Sequence, residues 1–373
     1  MTSIGGAEMV DWNLAVATAT RLVRPGPDVS RDEARAVVAE LRRHAKASEQ
    51  HVRGFTRMGT DDIHDTPILV VDRPGWVRAN VAGFREVLKP LLDKMQERRG
   101  NTPGGAVFGA VGGKVTGVEL GMLLSFLSSR VLGQYETFAP ATRELPAGAK
   151  GGRLLLVAPN IVHVERELDV QPHDFRLWVC LHEETHRTQF TAVPWLRDHL
   201  EGEIQSFLGE TEVDPMTVLE RIREAAQSLA GGRPEGEEDD EGRSLVEIVQ
   251  TPAQREILGR LTAVMSLLEG HADFVMDGVG PDVVPSVAEI REKFQQRRAK
   301  GASRLDSALR KLLGLDAKLR QYRDGERFVR AVVEQVGMDG FNRVWTSPNT
   351  LPTKTEIAKP ADWVARVHRK AES

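Results

Sequence analysis

Apolar residues recur at helical spacing along most of this chain, and polar or glycine-rich breaks separate the helices they predict. From Asp11 to Val23 and from Arg31 to His51, aliphatic and charged positions alternate with a period near that of a helix turn. Ser30 precedes Asp32 and Glu33, as an N-cap followed by acids in the first turn. A third helix is predicted from Val77 to Arg98. The run Phe175-Arg176-Leu177-Trp178-Val179-Cys180-Leu181 is apolar on nearly every face, as in a helix crossing a protein interior. Pro172 suits the first turn of that helix, where a missing N–H costs nothing. Ala263 to Met276 reads as a second buried helix. Strand character is clearest from Arg153 to Asn160, with a run of aliphatic residues and Pro159 near its end.

The breaks carry less chemistry than they suggest. Asn101 to Gly113 contains Pro103 and five glycines and reads as a flexible or tightly turned connection. It is no phosphate loop. That pattern requires Gly at 108 and Ser or Thr at 115, where this chain has Phe108 and Val115. Residues 231–243 are acidic and glycine-containing, cannot bury a core, and predict a surface loop. Beyond residue 285 a basic helical stretch holds Arg291, Lys293, Arg297, Arg298 and Lys300, interleaved with Glu289 and Glu292. Intrahelical ion pairs account for it better than a nucleic-acid grip, because no aromatic stacking or zinc-finger pattern accompanies it.

Composition narrows the class. A length of 373 residues exceeds the usual single core, so two lobes or one elaborated domain are expected. The expected division is an N-terminal helical region, 1–100, packed on a core, 101–373, that holds the chemistry-bearing helices. A net charge of −4 gives no electrostatic case for nucleic acid or an anionic membrane. The single cysteine, Cys180, rules out an intramolecular disulfide and a cysteine-built metal site, and its apolar helix makes it a small buried hydrophobe. The longest apolar segment, Val118 to Leu132, is interrupted by Glu119 and Arg130 and is too short to span a bilayer. No signal peptide is visible, so a cytoplasmic location is the expectation.

The chemistry sits where the apolar helix turns polar, at His182-Glu183-Glu184-Thr185-His186. Imidazoles four residues apart share one helix face, so both nitrogens can reach one zinc ion at roughly 2.0–2.1 Å. Glu183 can then take the proton of a water in the open coordination position. A helix merely emerging from the core, with His182 and Glu183 at its wet edge, is the plainer reading. A catalytic zinc needs a third protein ligand. The extended motif with Gly at 189 and His at 192 is excluded by Gln189 and Ala192. The better candidate is Glu269 in the second buried helix, where Glu269 and Asp273 lie one turn apart on one face. Paired acids in an apolar helix repel unless a cation neutralises them. Zinc on Glu269 would do so, with Asp273 accepting the other N–H of a liganding histidine. Pairing of Asp273 and His271 with basic residues elsewhere is the alternative.

His182-Glu183-x-x-His186 followed by Glu269-x-x-x-Asp273 resembles the gluzincin branch of zinc metallopeptidases. More closely, the chain resembles an uncharacterised zincin-like family of hydrolases and zinc-dependent metalloproteases, some of whose members carry a label tying them to deazaflavin coenzyme biosynthesis. The matching stretches are 153–160, 175–190, 193–197, 268–272 and 318–328. The resemblance implies a predominantly helical α+β fold with a zincin-like core and a small sheet, a zinc site, and hydrolysis of a peptide or small amide. It does not imply a particular substrate. In zincins an edge strand beside the metal helix pairs with an extended peptide. Arg153 to Asn160 would be that strand, with Ala158 and Asn160 touching substrate, although an ordinary central strand fits as well. Metallopeptidases commonly steady the oxyanion with a Tyr, His or Arg, for which Tyr322 and His271 are the candidates. The expectation is therefore zinc on His182, His186 and Glu269 with Glu183 as general base. Two rivals are a non-catalytic scaffold whose structural zinc takes a fourth ligand from His271 or Asp273, and a nucleic-acid factor built on the basic C-terminal half. Oligomeric state is open.

Overall fold

The computed structural model describes residues 9–59, 66–99, 105–139, 152–210, 252–300 and 315–369; the acidic run 231–243 lies outside them, as do the side chains of 315–323. Helices dominate, with one small sheet. In chain order the elements are α1 (Trp12–Leu22), α2 (Arg31–Thr56), β1 (Ile68–Val71), α3 (Arg73–Arg99), α4 (Gly105–Ser128), β2 (Gly133–Glu136), β3 (Arg153–Val157) and α5 (Ala158–Leu168). There follow α6 (Pro172–Ala192), α7 (Pro194–Gly209), α8 (Pro252–Gly278), α9 (Val287–Lys300), α10 (Leu315–Phe341), α11 (Lys354–Ala358) and α12 (Pro360–Arg369). No helix among the described residues is long and apolar enough to cross a membrane.

Two compact units partition the chain. One takes Met1–Arg43, Asp65–Glu167 and Val213–Arg223; the other takes His44–His64, Leu168–Glu212 and Glu224–Ser373. The boundary expected near residue 100 falls inside the first unit, because α3 and α4 on either side of it both pack with α1.

The first unit holds the sheet, in the order β1-β3-β2. β3 runs parallel to β1, with Ile68 opposite Leu154 and Val71 opposite Val157, and antiparallel to β2, with Gly133 opposite Leu156. Leu154 to Val157 are fully buried, as the aliphatic run requires of a strand covered on both faces. Its core gathers Trp12, Trp76, Val77, Leu124, Leu155 and Val157. The edge-strand expectation is therefore corrected. β3 is central, both its edges are paired, and it has no free row of main-chain groups to offer a peptide. Ala158 and Asn160 are not strand residues, because Pro159 opens α5 in a first turn where its lost N–H costs nothing.

Asn160 is 1% exposed and serves the interior instead. Its amide donates to the carbonyls of Ser128 (2.7 Å) and Val131 (2.6 Å), and its oxygen accepts from Arg73 Nε at 2.6 Å. Arg73 also donates to the carbonyls of Arg24 and Pro25. One amide thus ties the start of α3, the end of α4, the loop after α1 and α5 together. The glycine-rich connection is corrected too. α4 begins at Gly105, within it, so helix continues through four of the five glycines. Packing of α4 on α1 outweighs their poor intrinsic propensity.

The second unit is built on α6, α8 and α10, with α8 packed against both others. Its interior includes Phe175, Trp178, Leu181, Leu267, Leu268, Phe328, Phe341 and Trp363. α8 and α10 approach until their backbones nearly touch. A Cβ on Gly270 would stand 2.1 Å from the Gly325 carbonyl carbon, and one on Gly325 would stand 1.9 Å from the Ser266 oxygen. Only a pair of residues without side chains permits this crossing.

Candidate metal centre

α6 starts where its sequence predicts. Gln171 caps it by accepting from the His173 N–H at 2.9 Å, and Pro172 fills the first helical position. Asp174, in the first turn, receives the N–H and hydroxyl of Ser286 at 2.9 and 2.7 Å, which anchors this end of the helix. Phe175 to Leu181 then carry α6 through the interior, and Cys180 is fully buried among them.

Beyond Leu181 the polar residues separate into two sets. Glu184 and Arg187 form one, both buried: Arg187 Nε lies 3.0 and 2.9 Å from the two Glu184 oxygens, and Arg187 also reaches Glu49 at 2.9 Å. Burial pushes the Glu184 carboxyl up to about 7, against the opposing pull of Arg187. The cost of burying Glu184 is thus met by a guanidinium one turn away.

The other set converges. His182 Nε2 and His186 Nε2 face each other at 3.2 Å, and oxygens of Glu269 lie 3.7 Å from each of these nitrogens. One ligand atom from each of the three residues fits within 4.8 Å of the others, and no fourth His, Cys, Asp or Glu among the described residues joins them. A tetrahedral ion bonded at about 2.0–2.1 Å holds its ligand atoms roughly 3.3–3.4 Å apart, so the donor types and their spacing both suit zinc. The side chains of His182, His186 and Glu269 are 19%, 13% and 26% exposed, which leaves the cluster open to a small ligand.

The surrounding groups orient this cluster. Asp273 Oδ1 lies 3.7 Å from His182 Nδ1, the ring nitrogen turned away from the cluster, with Met276 Sδ 3.2 Å from the same atom. Asp273 therefore stands behind the imidazole, the placement in which an acid steadies a ligand. Gln189 Oε1 lies 3.0 Å from His186 Nδ1. The Gln189 amide nitrogen donates to the Leu268 carbonyl at 2.9 Å and approaches His271 Nδ1 at 3.1 Å. His271 is wholly buried against Phe341 and Trp345, with ring centroids 5.3 and 5.4 Å apart. Burial, with the nearby His186 as a lesser cause, drives its pKa down to about 3, so it is neutral. Zero exposure and the bond to Gln189 make His271 an interior packing residue, which corrects its expected contact with substrate. Glu183 is buried, and burial together with the charge of Glu269 holds its carboxyl well above the usual range. Tyr322 falls on α10, but its side chain lies outside the described residues.

Sequence reasoning thus named three residues that the fold brings together from helices 83 positions apart. It missed Gln189, read only as the absence of glycine, although its place three residues after His186 puts it on the same helix face. It also missed Arg187, whose spacing from Glu184 is the same.

Comparison with known proteins agrees with this architecture. The family profile described as zincin-like metallopeptidase matches residues 10–364. A crystal structure from Chloroflexus aurantiacus, described as a putative hydrolase with a novel fold, is similar over 96% of this chain and 99% of its own, at 30% sequence identity and a TM-score of 0.67. None of the curated proteins matches.

Proposed function

Because the chain belongs to the zincin-like metallopeptidase family, a family of hydrolases, we propose that it is a zinc-dependent hydrolase that cleaves a peptide or small amide bond. The observation that carries this reading is the convergence of His182 Nε2, His186 Nε2 and a Glu269 oxygen, partly exposed and spaced as zinc ligands are. These three residues would hold the ion. When bound, zinc would supply a Lewis acid for the substrate carbonyl and a positive charge that favours the ionised, proton-accepting form of Glu183.

The protein's own groups do the rest. Glu183 takes a proton from the attacking water and returns it to the leaving nitrogen, a double duty suited to a carboxyl whose affinity for protons has been raised. Gln189 holds the outer nitrogen of His186, and Asp273 stands 3.7 Å behind that of His182. The partial exposure of the cluster admits substrate, which favours a catalytic over a purely structural metal.

Metal analysis of the purified chain, then hydrolysis of a peptide library with and without a chelator, tests the proposal. Stoichiometric zinc and chelator-sensitive cleavage are expected. Zinc that is bound but inert towards peptides and small amides alike would leave the scaffold reading in its place.

A further inference from the structure

We propose that Gln189 is the positioning residue of the centre: it sets the tautomer of His186 and registers that ligand against the helix carrying Glu269. The inference rests on the metal-ligand reading above. The Leu268 carbonyl can only accept. The Gln189 nitrogen must therefore face it, at 2.9 Å, and the same nitrogen's second hydrogen points to His271 Nδ1 at 3.1 Å. A flipped amide would set two oxygens against each other at the Leu268 contact. The amide oxygen is left facing His186 Nδ1 at 3.0 Å, and since that oxygen also only accepts, Nδ1 carries the proton. His186 Nε2 is then a bare lone pair, aimed at the point shared with His182 and Glu269.

Gln189 is 0% exposed, so no bulk water can stand in for any of these partners. The two contacts to α8 flank Glu269 in sequence, at Leu268 and His271. One side chain therefore fixes the proton on one ligand and the register of the next. The choice of an amide has an electrostatic reason. Glu183, Glu269 and Asp273 already bring three acids to this region, and an amide orients the imidazole without adding a fourth.

The test uses the full chain with ¹⁵N-labelled histidine, stripped of metal. Long-range ¹H–¹⁵N correlation reads the His186 tautomer, assigned by loss of its signal in His186→Ala. Zinc affinity is read by competition with a chromophoric chelator. In the wild type the proton should sit on Nδ1. Gln189→Met, which keeps the shape and removes both bonding ends, should mix the tautomers and weaken zinc binding by about 10–100-fold. Gln189→Glu, which still offers His186 an acceptor but sets an oxygen against the Leu268 carbonyl, should restore the tautomer while zinc affinity stays below that of the wild type. A Gln189→Met chain with wild-type tautomer and affinity would overturn the proposal, as would a wild-type proton on Nε2. Should Gln189→Met not fold, the wild-type tautomer and the Gln189→Glu chain decide. A wild-type chain that takes up no zinc defeats the ligand reading, a failure told apart because the metal-free tautomer still answers to position 189.

Discussion

Two buried polar constellations, one in each unit, differ in how completely their bonds are answered. Around Asn160 the amide nitrogen has two carbonyls, the amide oxygen has a guanidinium, and that guanidinium has two further carbonyls. Around His186 two imidazole nitrogens and a carboxylate face a common point. The first constellation is closed and its product is rigidity. The second gathers donor atoms in the geometry that the proposed zinc would use. Polar residues in an interior thus speak for function when their acceptors face one another, and for architecture when each acceptor meets a donor.

Four substitutions can break or sharpen this contrast. The largest effect is expected at the closed constellation. Asn160→Leu orphans the Arg73 Nε and the carbonyls of Ser128 and Val131, a loss of roughly 3–9 kcal/mol in chemical denaturation at about 1–3 kcal/mol per group. Zinc affinity of the protein that remains folded should not change; a parallel loss of affinity would deny the distinction. Glu183→Gln should lower turnover by about 10²–10⁴-fold while zinc content stays at the wild-type level. Cleavage at the wild-type rate would remove Glu183 from its role. Glu269→Gln should weaken zinc binding at least as much as the roughly 10–100-fold loss of an outer partner, yet raise the melting temperature of the metal-free chain by about 1–3 °C. The gain follows because one of the clustered negative charges is gone, and a metal-free chain that melts lower would contradict it.

The smallest effect is expected at a carboxylate that belongs to neither constellation. Glu356 accepts from Arg366 Nε at 2.6 Å and from the Thr353 N–H at 2.9 Å, and these bonds hold its carboxyl below its usual value of 4.5 although burial alone would raise it. A depressed folded-state pKa stabilises above the unfolded value, and that stability is lost as pH falls through the folded one. Melting temperature should accordingly drop below about pH 4.5 more steeply in the wild type than in Glu356→Gln. Equal slopes would show that this carboxylate contributes nothing to acid lability.

How much of this was legible in the chain depended on the range of the interaction. Helices α1, α2, α3, α6 and α8 follow from periodicity because a helix closes its bonds within four residues. His182 and His186 were legible for the same reason, and Glu269 because two acids at helical spacing in an apolar run demand an explanation. The rank of β3 in the sheet was not legible. Its partners Ile68–Val71 lie more than 80 residues upstream, and nothing local records whether a strand has one neighbour or two. Pro159 was ambiguous in principle, since the same ring fits a sheet edge and a first helical turn. Gln189 was visible as a residue and invisible as a role, because its meaning depends on the Leu268 carbonyl brought to it by packing.

The crossing of Gly270 and Gly325 has a consequence for the acid next to it. Most helix pairs keep their separation through side chains, so a change of volume in the core slides one helix over the other. Here main chain rests on main chain, immediately beside Glu269, and there is no side chain in the contact to swell or shrink. The carboxylate is seated beside a joint with little room to adjust. Drift in the composition of the surrounding core can therefore accumulate over generations while this carboxylate keeps its post.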